Sequence, residues 1–365
     1  MSRSKPKRSK TRVAPSPSFR LVAIGGGTGL ATILKGLKHY ERDREDRGTP
    51  KARLPVSIAE IAAVVTVTDD GGSSGRLRKD FNILPPGDIR NCIVALSEDE
   101  ALLSRLFQYR FTAGEGLEGH SFGNLFVAAL TSITGDFSEA VKVSSAVLNT
   151  RGQIFPCTTS NVQLDALMDD GSRVRGETKI TASKQRVLDL RLVPANAKPL
   201  PQALEAIRNA DVITLGPGSL FTSLIPNLLV KGIPEAIAKS SAMKVFICNL
   251  MTQANESLGM SASEHIRSIY EHAGHKIFDY ALVNTRAVSP ALREKYAQEG
   301  ASKIVYDPER IEALGVKPVP GDFLEEAGVA RHATNQVAKA LFRLFEQHGG
   351  AGRKPTRLLR KAAGR

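Results

Sequence analysis

The residues best equipped to hold a ligand sit in short glycine-rich runs, each placed after an apolar stretch. The first is Gly25-Gly26-Gly27-Thr28-Gly29. Glycines let backbone N–H groups approach a phosphate, and the N-terminus of a following helix adds about half a positive charge. The run is not a Walker A loop, since no GK[ST] follows. It also fails GxGxxG, because position 30 is Leu. A tight strand-to-helix turn without a ligand is the plain alternative.

The second run, TDDGGSSGRLR (68–78), sets Asp69 and Asp70 before Ser73, Ser74, Arg76 and Arg78. Such a set can hold sugar hydroxyls or a divalent cation and clamp an anion. On an extended strand successive side chains point oppositely, so only one of the two Asp residues is expected to face a ligand. An Asp-Gly turn with solvated charges competes with this reading. PPGDIRN (85–91) puts Asp88 and Asn91 at a helix start, where Asp88 reads as an N-cap. GHSFGN (119–124) places His120, Ser121 and Asn124 before an apolar run, either as ligand contacts or as a satisfied turn. LGPGSLFTSLIPNLL (215–229) repeats the first design, with Gly216, Gly218 and Ser219 between strand and helix. Two phosphate-type loops in one sheet point to a ligand with a diphosphate or two phosphoryl ends.

Positioning these loops takes strands and helices in alternation. Residues 21–27, 61–68, 211–216, 244–249 and 279–284 read as buried strands. Leu30, Ile33, Leu34 and Leu37, and again Ile89, Cys92, Ile93 and Leu96, fall on single helical faces. Near-continuous apolar strands alternating with helices predict a Rossmann-like, doubly wound α/β fold with a mainly parallel sheet, its ligand crevice at the carboxyl ends of the strands. The stretch 151–200 reads as a β-rich insertion around the turn Asp169-Asp170-Gly171.

Charge narrows the function classes. The chain has 365 residues and a formal net charge of +13. The first twenty residues hold seven basic side chains and no acid, the last seventeen hold six and no acid, and together they account for that whole excess. The body is formally neutral, which argues against a nucleic-acid-binding core. Residues 1–18 and 346–365 are expected to be disordered basic tails flanking one domain at 19–345. No apolar run is long enough for a membrane span, and the opening residues lack the apolar core of a secretory signal. Cys92, Cys157 and Cys248 are too few and too far apart for a disulfide framework or a zinc site, and a cytoplasmic setting is expected. There is no GxSxG, HExxH or kinase set, so any group transfer would rest on positioning and electrostatics around phosphates, with Mg²⁺ as a candidate helper.

TDDGGSSGRLR, PPGDIRN, GHSFGN, GPGSLFTSLIPNLL and CNLMTQ (248–253), in this order, resemble the YvcK-type gluconeogenesis-factor family, relatives of 2-phospho-L-lactate transferase of deazaflavin cofactor synthesis. The resemblance covers about residues 19–345. It implies a Rossmann-like fold and a UDP-N-acetylglucosamine-type ligand, and it brings in Asn249 from CNLMTQ. It also implies a role in adjusting carbon metabolism, cell-wall precursor supply and cell shape, as a homodimer acting through a regulatory protein partner. EKYAQEGA (294–301) and VARHATNQVAKAL (329–341) resemble the segments where the family sets an aromatic and an arginine against the nucleotide sugar, here Tyr296 and Arg331. Two function classes follow: a UDP-sugar-sensing binding protein, which is favoured, and a transferase using a nucleotide diphosphate donor. No deazaflavin-binding segment is evident.

Overall fold

The computed structural model describes residues 17–41, 56–98, 102–183, 185–254 and 256–348. Twelve strands run in chain order: β1 (Ser18–Gly25), β2 (Ser57–Val65), β3 (Gln153–Pro156), β4 (Gln163–Met168), β5 (Arg173–Arg175), β6 (Val187–Val193), β7 (Val212–Leu215), β8 (Met243–Ile247), β9 (Tyr280–Asn284), β10 (Lys317–Gly321), β11 (Leu324–Glu326) and β12 (Ala330–His332). Seven of them form one all-parallel sheet in the order β10-β9-β8-β7-β1-β2-β3. Strands buried on both faces need apolar residues throughout, and Leu21 to Ile24 of β1 and all four residues of β7 are buried.

The order fixes where a ligand can sit. From β1 the chain moves outward through β2 and β3, then returns to the other side of β1 to lay down β7, β8, β9 and β10. The winding therefore reverses between β1 and β7. In an open α/β sheet such a reversal opens a crevice at the carboxyl ends of the strands.

The helix Gly27–Leu37 buries Leu30, Ile33, Leu34 and Leu37 completely, as its spacing predicts. The helix Thr334–Gln347 closes the same region, setting Phe345 4.7 Å and Phe342 5.7 Å from the ring of Phe19. Close aromatic pairs of this kind add about 0.5–1.5 kcal/mol beyond their burial.

Three expectations shift. The β-rich insertion begins later than residue 151, because β3 is the edge of the central sheet. The insertion proper is the antiparallel sheet β5-β4-β6, with the turn 169–172 between β4 and β5. It also carries a helix, Glu177–Ala182. The domain limits move slightly, since β1 begins at Ser18 and the last helix reaches Gln347. The expected disordered tails otherwise lie outside the described residues. No helix among the described residues is long and apolar enough to cross a membrane.

Candidate nucleotide-binding cleft

At the carboxyl ends of β1, β7 and β8 lies a cleft of about 810 Å³. The loop after β1 brings Gly26, Gly27, Thr28 and Gly29 to it, and the loop after β7 brings Gly218 and Ser219. Asn249 follows β8, Asn91 comes from the helix Gly87–Leu96, and Tyr296 and Arg331 approach from the C-terminal segments. Ten residues singled out in the sequence thus share one cavity.

The two glycine loops touch. A Cβ at Gly29 would come within 2.6 Å of the Pro217 carbonyl oxygen, so only glycine permits this approach. Side chains hold the second loop in place. Asn249 accepts from the Gly218 N–H at 3.0 Å and donates to the Gly218 carbonyl at 2.8 Å, and the Gln253 amide donates to Ser219 Oγ at 3.0 Å. Buried Glu256 accepts from the Phe221 N–H and the Thr222 hydroxyl at the start of the π-helical turn Leu220–Leu224. Burial raises its pKa above the ordinary carboxylate value. Asn249 and Ser219 are therefore loop-fixing groups, and the Gly218 N–H is already engaged.

Arg331 owes its place to its neighbour. In the hairpin β11–β12 it pairs with Glu325, and alternation sends His332 inward, where Nε2 lies 3.0 Å from the Cys248 carbonyl. Burial drives the His332 pKa down to about 4, so its ring is neutral at pH 7 and Nε2–H donates to that carbonyl. The Tyr296 hydroxyl accepts from the Ala330 N–H at 3.2 Å, which ties the aromatic to the same hairpin.

Sequence reasoning missed Lys35, Arg90 and Gln253, which also line the cleft. Lys35 lies two turns beyond Thr28 on the polar side of its helix, and helical spacing could have found it. Arg90 sits inside PPGDIRN between Asp88 and Asn91. Its placement depends on GHSFGN, since the missing side chain of Gly123 gives room to the Arg90 stem, which a Cβ would meet at 2.7 Å. Lys35, Arg90 and Arg331 are cationic, and among the described residues that line the cleft there is no carboxylate.

The remaining candidates lie beside the cleft. Asp88 is the second residue of its helix rather than the N-cap, a position held by Pro86. Its carboxylate accepts from the Gly27 N–H and sits against Gly26. Desolvation raises its pKa to about 6, with Asp69 adding to the rise and Arg90 opposing it. Asp69 and Asp70 do diverge. Asp69 accepts from the Gly71 N–H and faces the space left by Gly87, whereas Asp70 caps the insertion helix by accepting from the Thr178 N–H and hydroxyl at 2.8 and 2.7 Å. Half-buried Glu177, from that helix, has its pKa pushed up to about 9, first by desolvation and then by Asp69, Asp88, Asp70 and Glu256.

Ser73, Ser74, His120 and Asn124 bond to one another instead of facing the cleft. Ser73 Oγ lies 3.0 Å from His120 Nδ1, and the Asn124 amide donates to Ser73 and Ser74 Oγ at 3.1 and 3.4 Å. Arg76 turns away to the Glu118 carbonyl. Gly216 approaches the Ile247 carbonyl beneath the loop with a φ of +91°. For these six residues the geometry is that of turns and buttresses. Among the described residues no three His, Cys, Asp or Glu side chains are placed to hold a metal ion together.

Comparison with known proteins agrees with this architecture. Residues 21–324 match the family model described as 2-phospho-L-lactate transferase CofD. The chain is 48% identical over 322 residues to the gluconeogenesis factor of Halalkalibacterium halodurans, covering 88% of this chain and 95% of that protein. It is 43% identical over 329 residues to the gluconeogenesis factor of Bacillus subtilis, covering 90% of this chain and 98% of that protein. A crystal structure of a UPF0052-family protein from Bacillus halodurans superposes with a TM-score of 0.82 at 46% identity, covering 89% of this chain and 99% of that one. The chain therefore belongs to the gluconeogenesis-factor family, which is built on the CofD domain.

Proposed function

We propose that the cleft binds a UDP-sugar of the UDP-N-acetylglucosamine type and that the protein is a non-catalytic regulator. In this reading it couples carbon metabolism and gluconeogenesis to cell-wall precursor supply and cell shape through a protein partner. One observation carries the ligand class: at the switch point of the sheet, two glycine loops meet between Lys35, Arg90 and Arg331, with no carboxylate among the described lining residues. A diphosphate needs this field, and the first-turn amides of Thr28 and Gly29 lack intrahelical acceptors. Arg331 and Tyr296 then suit the diphosphate and a ring of the ligand. The gluconeogenesis part of the role rests on the names of the relatives.

The test is thermal denaturation of the full chain with UDP-N-acetylglucosamine, UDP-glucose, GDP and NAD. A ligand at one hundred times its Kd adds about 2.7 kcal/mol to stability. The reading fails if no UDP-sugar shifts the transition.

A second reading is favoured by the Asp88 carboxylate against Gly26 and by Glu177, which shares its field. Asp88 and Glu177, with pKa values near 6 and 9, are poised for proton transfer in the manner of a transferase acting on a nucleotide diphosphate donor. Chromatography separates the two readings. Intact UDP-sugar after prolonged incubation supports the regulator, whereas release of UMP or UDP in proportion to protein, lost in Asp69→Asn, supports the transferase.

A further inference from the structure

The cleft holds more positive charge than a diphosphate can neutralise. Lys35, Arg90 and Arg331 line it, and none of the three makes an ion pair among the described residues. A nucleotide-sugar diphosphate carries one charge on each phosphate, so one cation is left over. The three cations also come from two places. Lys35 precedes Gly36, where an added Cβ would stand 2.3 Å from Thr334, three residues beyond Arg331, so these two belong to neighbouring segments. Arg90 is set apart, on the helix Gly87–Leu96 and against Gly123.

Arg90 is also held under the least favourable conditions. It is half-buried, and desolvation lowers its pKa, with repulsion from Arg110 adding to the fall. Asp88 and Asp69 oppose that fall from a distance, without pairing. The Arg90 Nε is sealed and has no partner, whereas the two terminal nitrogens make no bond among the described residues and are what the side chain offers to the cleft. Room for its stem is kept by a glycine at position 123, inside a helix, where glycine is otherwise unfavourable. A Cβ there would lie 2.7 Å from Arg90 Cδ and 2.6 Å from the Phe107 carbonyl oxygen. A guanidinium drawn out of water without a counter-ion is destabilising, so its place fits an anion that the chain does not itself supply.

We propose that the sugar of the bound nucleotide carries a carboxylate and that the Arg90 guanidinium holds it. This rests on the nucleotide-sugar reading of the cleft and narrows it to sugars with an acid substituent. The charge left over is single, which matches a carboxylate, whereas a phosphate monoester would bring about 1.5 to 2 charges. Base and ribose carry no anion at neutral pH, so the group belongs to the sugar. A planar guanidinium takes a carboxylate through two parallel N–H···O bonds, and the terminal nitrogens of Arg90 are free to form them.

Titration calorimetry of the full chain compares two matched pairs, UDP-glucuronate with UDP-glucose and UDP-N-acetylmuramate with UDP-N-acetylglucosamine, the first of each adding one carboxylate. The acidic member of at least one pair is expected to bind about tenfold tighter or more, with an advantage that shrinks as salt is raised. In Arg90→Gln that ratio should fall to about one, whatever happens to the affinities themselves, and Arg90→Lys should keep part of it, since lysine restores the charge without the fork. Circular dichroism confirms that both variants are folded. Neutral sugars that bind as well as their acidic partners overturn this inference and leave the nucleotide-sugar reading standing. A ratio that survives in Arg90→Gln takes the carboxylate away from Arg90 and overturns the assignment as well. If none of the four compounds binds, the reading of the cleft fails and this inference falls with it.

Discussion

Replacing Gly29 with alanine tests whether contact between the two glycine loops builds the ligand site. The residue lies in the first turn of the helix Gly27–Leu37. Intrinsic propensity alone would make the change stabilising by about 0.5–1 kcal/mol. The new methyl, however, would stand 2.6 Å from the Pro217 oxygen, 2.9 Å from its carbonyl carbon and 3.2 Å from the Gly218 nitrogen. All three are backbone atoms, which cannot swing aside as a side chain can. Relief requires the second loop to retreat by roughly 1 Å, and overpacking of this kind costs about 1–3 kcal/mol, so the clash outweighs the propensity gain. The same retreat moves the Gly218–Ser219 wall of the cleft away from the first-turn amides of Thr28 and Gly29. Losing one charge-assisted hydrogen bond, worth about 1.5–3 kcal/mol, weakens binding about 10- to 150-fold. Titration calorimetry with UDP-N-acetylglucosamine and thermal denaturation measure the two effects separately. Gly135→Ala is the control, because Gly135 has a φ of +70° with nothing within 4 Å and ends a helix outside the cleft. It should lose about 1–2 kcal/mol of stability and no affinity. Parent affinity in Gly29→Ala, or an equal loss in Gly135→Ala, would refute the reasoning.

Arg331→Ala should weaken UDP-sugar binding by about 1.5–3 kcal/mol and flatten its salt dependence, whereas Tyr296→Ala should weaken binding and leave that dependence alone; calorimetry across salt concentrations checks both. Asp88→Asn keeps an acceptor for the Gly27 N–H while removing a carboxylate whose folded pKa is raised to about 6. A raised carboxylate pKa means stability is fully present below the unfolded value near 4 and lost as pH climbs through 6, so the variant should be more stable than the parent at pH 8, by on the order of 1–2 kcal/mol, and equal to it near pH 4. Denaturant titrations at the two pH values decide. A chain trimmed to residues 17–348 should keep its fold and UDP-sugar affinity, since β1 starts at Ser18 and the last helix ends at Gln347; circular dichroism and calorimetry check it.

The central strands were legible because burial on both faces forces an apolar run, as in Leu21 to Ile24 and Val212 to Leu215. The edge strands were not. Gln153–Pro156 and Lys317–Gly321 contain prolines and polar residues that an edge tolerates and a centre does not, so they carry no such run. Glycine loops announced the cleft, since close backbone approach leaves a compositional mark. Which polar residues face it was harder to see. Ser73, Ser74, His120 and Asn124 have the right types and neighbours, but whether a serine bonds a phosphate or an asparagine depends on partners brought from 47 to 51 residues away. Arg90 escaped notice for the same reason, as its room comes from Gly123 on another helix.

The division of charge across the glycine loop gives the site its logic. Lys35, Arg90 and Arg331 face the cleft, while Asp88 sits against Gly26 in the field of Asp69 and Glu177. The proposed diphosphate, if drawn in by the cations, would meet the Asp88 carboxylate on the far side of Gly26. That carboxylate already takes the Gly27 N–H, which leaves the amides of Thr28 and Gly29 for the proposed ligand. An anion bound across that glycine would raise the Asp88 pKa further through like-charge repulsion, so anion binding and proton uptake at Asp88 would favour each other. Glu177 shares this field from the insertion, and Asp70 pins the same insertion helix through Thr178.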